Sequence, residues 1–402
     1  MNRVLARLGF SRAVWTQYLV FLAVAYFMQR FGLALIDGAR TNYFVESLGL
    51  NGGQVLWLEG IREIPGLALM FIAALTMRLP LSYRTAASVL IMGIGYGLYA
   101  FVGSYSALLA VAVFASLGMH MWMPLHSTLA MGLSPEGRTA SVVGALNGIG
   151  AFASLIGMGA LALIAKAVSD LPLATYYFVG AGLVIVAAFL LLRIPPTVGA
   201  TVGRPPRMLV KRRYWLYYVL TFFQGSRKQV LNTFGMLVLV ESFKLEVWKI
   251  SLILLASSVI NLVGSPYMGR LIDRLGERTV LTATYVGLIL GCVGFATLNN
   301  VWVLVALLLA IKLLVLAGIG LETYVYRMAP EGELTPTLSA GVSINHVTSV
   351  GMPMLAGVLL PVIGYEGIFW GTAGLIVLSI PFAMAMKAQP VAMPQAAVAP
   401  AD

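Results

Sequence analysis

Apolar stretches about as long as a membrane-spanning helix recur along almost the whole chain, and they limit the fold more than any other feature. A bilayer core of roughly 30 Å needs about 20 apolar residues of helix. The mean hydropathy of +0.91 would leave a soluble domain with aggregating surface. Because lipid offers backbone groups no hydrogen-bond partner, only helices or closed barrels can cross it. These runs lack the alternation of barrel strands, so the chain is predicted to be an all-α membrane protein.

Twelve membrane spans are predicted, with boundaries good to a few residues. They lie near residues 14–36, 53–75, 85–104, 106–128, 139–166, 173–195, 214–240, 248–272, 279–298, 300–326, 336–362 and 366–387.

The net charge is +11, and the basic residues are distributed by side of the membrane rather than as a nucleic-acid-binding surface. In the twelve-span arrangement one side holds most of the basic residues, including the cluster from Arg193 to Arg213, whereas the other holds chiefly Lys166, Lys244 and Lys249. Because basic loops stay in the cytoplasm, both termini are expected there. The protein is therefore expected in the plasma membrane, or in the inner membrane of a Gram-negative cell, without a nucleic-acid partner.

An internal repeat at a separation of 195 residues divides the chain into two halves. The segment "YFVESLGL" (43–50) matches "VLVESFKL" (238–245), "SPEG" (134–137) matches "APEG" (329–332), and Gln29 matches Gln224. With a short insertion the register also aligns Asn147 with Asn345. The first segment imitates a secretory signal, but as the counterpart of the seventh span it is expected to be retained.

The repeat predicts two pseudo-symmetric six-helix bundles, at residues 1–195 and 213–387, joined by a basic cytoplasmic linker at 196–212. Residues 388–402 have little to fold on and are expected to form a disordered cytoplasmic tail.

The segment "GRLIDRLGER" (269–278), between the eighth and ninth spans, carries five charges in ten positions. With twelve spans in two repeats, it makes the chain similar to the major facilitator superfamily, whose motif there is roughly G-x-L-x-D-R-x-G-R-K. The resemblance implies a cytoplasmic gate that latches the outward-facing state, formed by Gly269, Asp273, Arg274, Gly276 and Arg278. Glu277 replaces a base of the motif, and the first repeat has only "MRLPLSYR" (77–84), without the aspartate.

Polar and charged side chains inside predicted spans are candidate pathway residues, because ionisable groups are costly at membrane depth. The resemblance implies that spans one, four, seven and ten line a central cavity. The predicted cavity residues are Gln29, Arg30, Asp37, Gln224, Arg227, Lys228, Asn232 and Lys312. The alternative is that Arg30 and Arg227 form structural ion pairs with Asp37 and the acidic residues of span two.

Proton coupling needs a group whose pKa burial or a neighbouring charge can raise. The candidates are Asp37, Glu59, Glu63 and His346, although structural pairing is an equal alternative for the carboxylates, and Glu59 has Arg62 within one turn. Asn147 and Asn345 are expected at the interface of the two halves. His120 and His126 suggest a soft metal, but a spacing of six does not place both on one helix face, so no metal site is expected.

The expected function is secondary active transport of a small solute by alternating access, coupled to protons, with an anionic organic or phosphorylated substrate favoured by Arg30, Arg227 and Lys228. One alternative is a multidrug exporter, favoured by aromatic and methionine content, and another is a non-transporting assembly factor or receptor. No nucleotide-binding G-x-x-x-x-G-K-[ST] pattern is present. The chain is thus predicted to be a monomeric non-enzyme in the bilayer, without a cofactor.

Overall fold

The computed structural model describes residues 15–76, 78–135, 138–198, 210–330 and 333–387, and all regular structure in these ranges is helical. The predicted tail at 388–402 and positions 199–209 of the predicted linker lie outside the described residues. The helices in chain order are α1 (Gln17–Asn42), α2 (Gly52–Ile61), α3 (Ile64–Thr76), α4 (Leu81–Leu98), α5 (Tyr105–Leu133), α6 (Thr139–Ala167), α7 (Ala174–Leu191), α8 (Trp215–Gln229), α9 (Gly235–Glu241), α10 (Val247–Leu275), α11 (Glu277–Thr297), α12 (Val301–Val315), α13 (Ile319–Met328) and α14 (Leu334–Met384).

Several helices begin at a side-chain cap, as the sequence chemistry demands. Thr16, Asn51, Ser104 and Asn300 each accept a hydrogen bond from a backbone N–H in the first turn of α1, α2, α5 and α12, respectively. At α2 the cap is reciprocal, because the Gln54 side chain also accepts from the Asn51 backbone. These contacts satisfy amide groups that the helix itself cannot pair.

Eight helical segments among the described residues are long and apolar enough to cross a membrane. Nine of the twelve predicted spans account for these eight segments, because spans eleven and twelve form one helix, and spans two, three and seven are not among them. Span two is divided into α2 and α3. Span seven runs through α8, a π turn at Val230–Phe234 and α9, and its polar stretch with Arg227 and Lys228 lowers its mean hydropathy. The polar residues at the start of α4 lower the mean hydropathy of span three, so it is not among the eight segments. Spans eleven and twelve are continuous in α14, which kinks at Gly364 with φ 67°.

The chain packs as two compact units. Unit one lies within Met1–Pro205, Asn232–Val259 and His346–Gly364, and unit two within Pro206–Leu231, Ile260–Asn345 and Tyr365–Asp402. The two six-helix bundles at 1–195 and 213–387 stay a prediction.

Helices of unit one cross closely where small residues meet. A Cβ on Gly32 of α1 would lie 2.5 Å from the carbonyl oxygen of Gly180 on α7, and one on Gly118 of α5 would lie 2.5 Å from the Met92 nitrogen on α4. Small residues allow such backbone approach, which drives helix association in lipid.

The two copies of the internal repeat end in the same backbone turn. Leu50 N donates to Phe44 O at 2.9 Å, and Leu245 N donates to Leu239 O at 3.1 Å. The preceding residue is left-handed in both copies, with φ 64° at Gly49 and 52° at Lys244. The sequence match at 43–50 and 238–245 therefore extends to three-dimensional structure.

Candidate functional site

The helix of span two breaks before Glu63. Pro65 has no N–H to donate to the carbonyl four residues earlier, and its ring collides with the preceding turn. The backbone closes tight turns instead, with Glu63 N donating to Gly60 O at 3.1 Å and Gly66 N donating to Glu63 O at 3.0 Å. Glu63 thus occupies the break of a membrane helix while remaining only 5% exposed.

Two histidines from other helices face this carboxylate. His120 Nε2 on α5 lies 3.7 Å from Glu63 Oε2, and His346 Nδ1 on α14 lies 3.4 Å from the same oxygen. The rings meet edge to face with centroids 5.2 Å apart. Glu63, His120 and His346, here called the Glu63 cluster, all belong to unit one, and their three ligand atoms lie within 4.8 Å of one another. The arrangement can receive one cation, either a proton or a metal ion.

Ser116 fixes the orientation of the His120 ring. His120 Nδ1 lies 2.9 Å from the Ser116 carbonyl oxygen and 3.0 Å from its Oγ, which itself donates to the Arg62 carbonyl. A carbonyl can only accept, so Nδ1 carries the proton. In the neutral ring, Nε2 therefore presents a lone pair to Glu63.

Gly66 leaves the room that both imidazoles occupy. A Cβ at this position would lie 2.6 Å from two atoms of the His346 ring and 2.8 Å from His120 Nε2. Any larger residue would have to displace a ring, so glycine is a structural requirement of the cluster.

The other candidate carboxylates have arginine partners. Asp37 lies 3.3 Å from Arg40, Arg40 lies 4.0 Å from Glu59, and Glu59 lies 3.2 Å from Arg62. The predicted pair between Glu59 and Arg62 is confirmed. Asp37 pairs with Arg40 one turn away, not with Arg30, because Arg40 lies near it on the same face. Of the proton-coupling candidates, only Glu63 and His346 come together in the Glu63 cluster.

The cavity candidates of unit one occupy different environments. Gln29 is buried and its Nε2 donates to Met92 Sδ at 3.6 Å, whereas Arg30 is half-buried, with no carboxylate of the described chain within 4 Å. Asn232 is half-buried in the π turn before α9.

In unit two, Arg227 is 6% exposed and lies over the Tyr285 ring, 4.1 Å from its centroid. Its Nη1 donates to Ser379 Oγ at 3.5 Å. Gln224 packs against Gly318, while Lys228 and Lys312 are half-buried. A shared cavity for the residues of both units stays a prediction.

The predicted gate motif encloses a turn between α10 and α11. Gly276 adopts φ 78°, which favours glycine, and begins α11. Arg327 lies 3.5 Å from Asp273 and 3.2 Å from Glu277, and Thr323 donates to Glu277 at 3.1 Å. Glu277, which departs from the family motif, thus has a positively charged partner in Arg327. The gating role stays a prediction.

The remaining candidates are placed as follows. Gly269 is half-buried, and Arg274 and Arg278 are exposed. Asn147 is exposed on α6, and Asn345 is half-buried on α14, so their interface role stays a prediction.

Sequence reasoning missed the partner of Glu63. The sequence groups His120 with His126, but His126 stacks on Trp122 and Tyr26, with ring centroids 5.1 and 5.3 Å away. Residues 63, 120 and 346 are far apart in sequence, and no spacing rule connects them. Pro65 after Glu63 was the available signal, since it marks a broken span and broken spans carry ion sites.

Comparison with known proteins agrees with this architecture. The profile of the Major Facilitator Superfamily matches residues 22–334 and 231–400. No functionally curated protein matches the sequence.

Three solved structures illustrate the shared fold. A mutant of the nucleoside transporter NupG has a TM-score of 0.78 at 16% identity, covering 92% of this chain and 100% of its own. A bacterial homologue of the iron transporter ferroportin in an inward-facing state has a TM-score of 0.75 at 17% identity, covering 92% of this chain and 98% of its own. A bacterial homologue of the human lysosomal transporter Spinster, in an inward-facing and occupied conformation, has a TM-score of 0.73 at 14% identity, covering 91% of this chain and 95% of its own. The chain belongs to the major facilitator superfamily and is a multi-pass membrane transporter.

Proposed function

We propose that this transporter moves a small solute by proton-coupled alternating access and that the Glu63 cluster is its proton site. The observation that carries the proposal is the buried Glu63 carboxylate, which faces Nε2 of His120 at 3.7 Å and Nδ1 of His346 at 3.4 Å. Both separations exceed an ordinary hydrogen bond. A proton on the cluster would convert a repulsive contact into a charge-assisted hydrogen bond.

The charged and polar groups around the Glu63 cluster are consistent with a proton-binding role. Arg62 is the nearest cation on the same span, and its guanidinium pairs with Glu59. Ser116 faces His120 from α5 as a neutral partner. Burial disfavours an ionised carboxylate, which supports Glu63 as the group that takes up the proton.

The cluster also connects the two sequence repeats. Glu63 and His120 belong to the first repeat, and His346 belongs to the second. Movement between the repeats during alternating access changes the distance from His346 to Glu63 and therefore the affinity for the proton. Proton-coupled transport requires such a linkage between proton affinity and the conformation of the transporter.

Proteoliposomes with an internal pH dye test the coupling. The tracers are lactate and inorganic phosphate as anions, uridine as a nucleoside, and tetraphenylphosphonium as a lipophilic cation. A transported tracer should move protons in wild type, whereas Glu63→Gln should keep tracer exchange and lose proton movement. Glu246→Gln, an exposed carboxylate before α10, serves as the control.

Tracer transport without a change of internal pH would overturn proton coupling. Coupling lost equally in both variants would remove Glu63 from the role. Zinc binding to purified protein that Glu63→Gln abolishes, with proton movement absent, would assign the cluster to a metal instead.

We further propose an anionic substrate, supported by unbalanced positive charge in the spans. Arg227 is buried, yet its described contacts are a tyrosine ring and a serine hydroxyl. A buried charge without a counter-ion is costly, and a bound anion would remove that cost. The structural neighbours include a nucleoside transporter and a homologue of an iron transporter, so the shared fold does not by itself indicate a substrate.

Arg227→Gln should weaken lactate or phosphate transport about ten- to a hundredfold, because one charge-assisted contact is lost. Arg227→Lys should restore part of it, and Lys244→Gln, exposed in a loop, should match wild type. Unchanged anion affinity with a lowered melting temperature would mean that Arg227 is structural. Transport of tetraphenylphosphonium alone would favour the multidrug alternative, and transport of no tracer would favour the assembly-factor alternative.

The remaining assignments are also proposals. Basic loops support a plasma-membrane location with both termini in the cytoplasm. The pairing of Asp273 and Glu277 with Arg327 supports a cytoplasmic gate there. We take the working unit to be a monomer.

A further inference from the structure

A groove of about 560 Å³ opens between α10 and α12 in unit two. Its apolar wall consists of Gly264, Met268 and Leu271 from α10 and Leu313 from α12. Leu271 and Leu313 are each 42% exposed, so the wall faces outward. In a membrane, such a surface meets acyl chains rather than water.

A glycine shapes the groove. A Cβ on Gly264 would lie 2.9 Å from Leu316 and 3.0 Å from Leu313, which shows how closely the helices approach there.

The groove is basic at the C-terminal end of α10. Arg270 and Arg274 line it one helical turn apart, and both are exposed. Arg270 lies over the Tyr267 ring, 4.4 Å from its centroid. Among the described residues no carboxylate lies within 4 Å of either guanidinium, and the adjacent Asp273 pairs with Arg327.

We infer that this groove binds an anionic phospholipid, with its phosphate between Arg270 and Arg274 and an acyl chain along Met268, Leu271 and Leu313. Helix α10 has 29 residues, enough to cross the bilayer, and both arginines lie in its last turns, at headgroup depth. Guanidinium forks match phosphate oxygens, and basic pockets between membrane helices hold anionic headgroups. The apolar wall selects a lipid over a free phosphate ion.

Native mass spectrometry of the full chain, released from detergent with defined lipids, tests the inference. Wild type should retain phosphatidylglycerol over phosphatidylcholine by about ten- to a hundredfold. Arg270→Gln/Arg274→Gln should lose that preference. Leu313→Trp, which fills the groove without changing charge, should lose retention of phosphatidylglycerol. Arg278→Gln, which removes one exposed arginine outside the groove lining, is the control and should keep the wild-type preference for phosphatidylglycerol.

Equal retention of both lipids by wild type would overturn the inference. The same holds if Arg278→Gln loses as much preference as the double variant, since the effect would then be general surface charge. Displacement of phosphatidylglycerol by millimolar inorganic phosphate would make the site a free-anion site. Melting temperatures measured alongside identify a variant that fails to fold, and a retained preference in a folded Leu313→Trp variant would also overturn the inference.

Discussion

The absence of a side chain at Gly66 leaves space for the imidazole rings of the Glu63 cluster. Gly66 lies where a Cβ would meet both imidazoles, and Ser116 fixes which nitrogen of His120 faces the carboxylate. The chemistry of the cluster therefore depends on residues that do not themselves titrate. Such positioning residues can be separated from fold stability by experiment.

If the Glu63 cluster is the proton site as proposed, Gly66→Ala should reduce proton-coupled transport about ten- to a hundredfold, because displacement of an imidazole by a fraction of an ångström misaligns the cluster. Gly182→Ala on α7, where a Cβ would meet nothing within 4 Å, is the matched control and should keep wild-type coupling. Transport and melting temperature are measured together in both variants. Wild-type coupling in a folded Gly66→Ala variant would contradict the assigned geometry.

The arginine–carboxylate chain predicts a second residue-scale effect. Arg62→Gln would leave the buried Glu59 carboxylate with only Arg40, 4.0 Å away, and breaking a buried pair costs about 3–5 kcal/mol of unfolding free energy. Arg62→Gln/Glu59→Gln should recover most of that loss. Denaturation in detergent micelles measures both, and a double variant no more stable than the single one would show that the pair is not a structural unit.

At the scale of helices, Glu333 joins the start of α14 to the segment before α8. It accepts from Lys211 at 2.9 Å and Tyr214 at 3.1 Å, and it also pairs with Arg213. The hydrogen bond from Lys211, followed by those from Arg213 and Tyr214, lowers the pKa of Glu333 from 4.5 to about 2. A folded-state pKa below the unfolded value means that the contact stabilises the fold above about pH 4.5 and fades as the pH falls toward 2.

Glu333→Gln should therefore lower the melting temperature slightly at pH 7, and the difference from wild type should shrink between pH 4.5 and 3. The effect is small because the contact is exposed. Glu246→Gln is the comparison, because its contacts with Lys249 and Trp248 stay within one turn. A difference that is constant with pH would mean that the charge of Glu333 does not act through this contact.

At the scale of the whole molecule, the ends of the two repeat-related segments touch. Asn42 Nδ2 donates to Leu245 O at 2.8 Å, and Gly52 N donates to Glu241 Oε1 at 3.2 Å. All four residues belong to unit one. Because the proposed alternating access involves movement between the repeats, we expect these contacts to open during a transport cycle.

Cross-linking of Asn42→Cys/Leu245→Cys should stop transport, and reduction should restore it. The native Cys292 is buried and should not compete for the cross-linker. Each single cysteine variant provides the control and should transport under both conditions. Full transport in the cross-linked double variant would show that this contact does not open in the cycle.

The sequence by itself determined the membrane class, the spans and the repeat, because hydropathy and backbone hydrogen bonding act locally along the chain. It also indicated Glu63 and His346 as separate proton-site candidates and the pair of Glu59 with Arg62, which lies within one turn. Only the tertiary structure decided that His120 joins Glu63 and His346 and that Arg327 accompanies Glu277. The physical reason is that side chains far apart in the sequence meet through helix packing, where glycines such as Gly66 set the distances, and no local periodicity encodes those contacts.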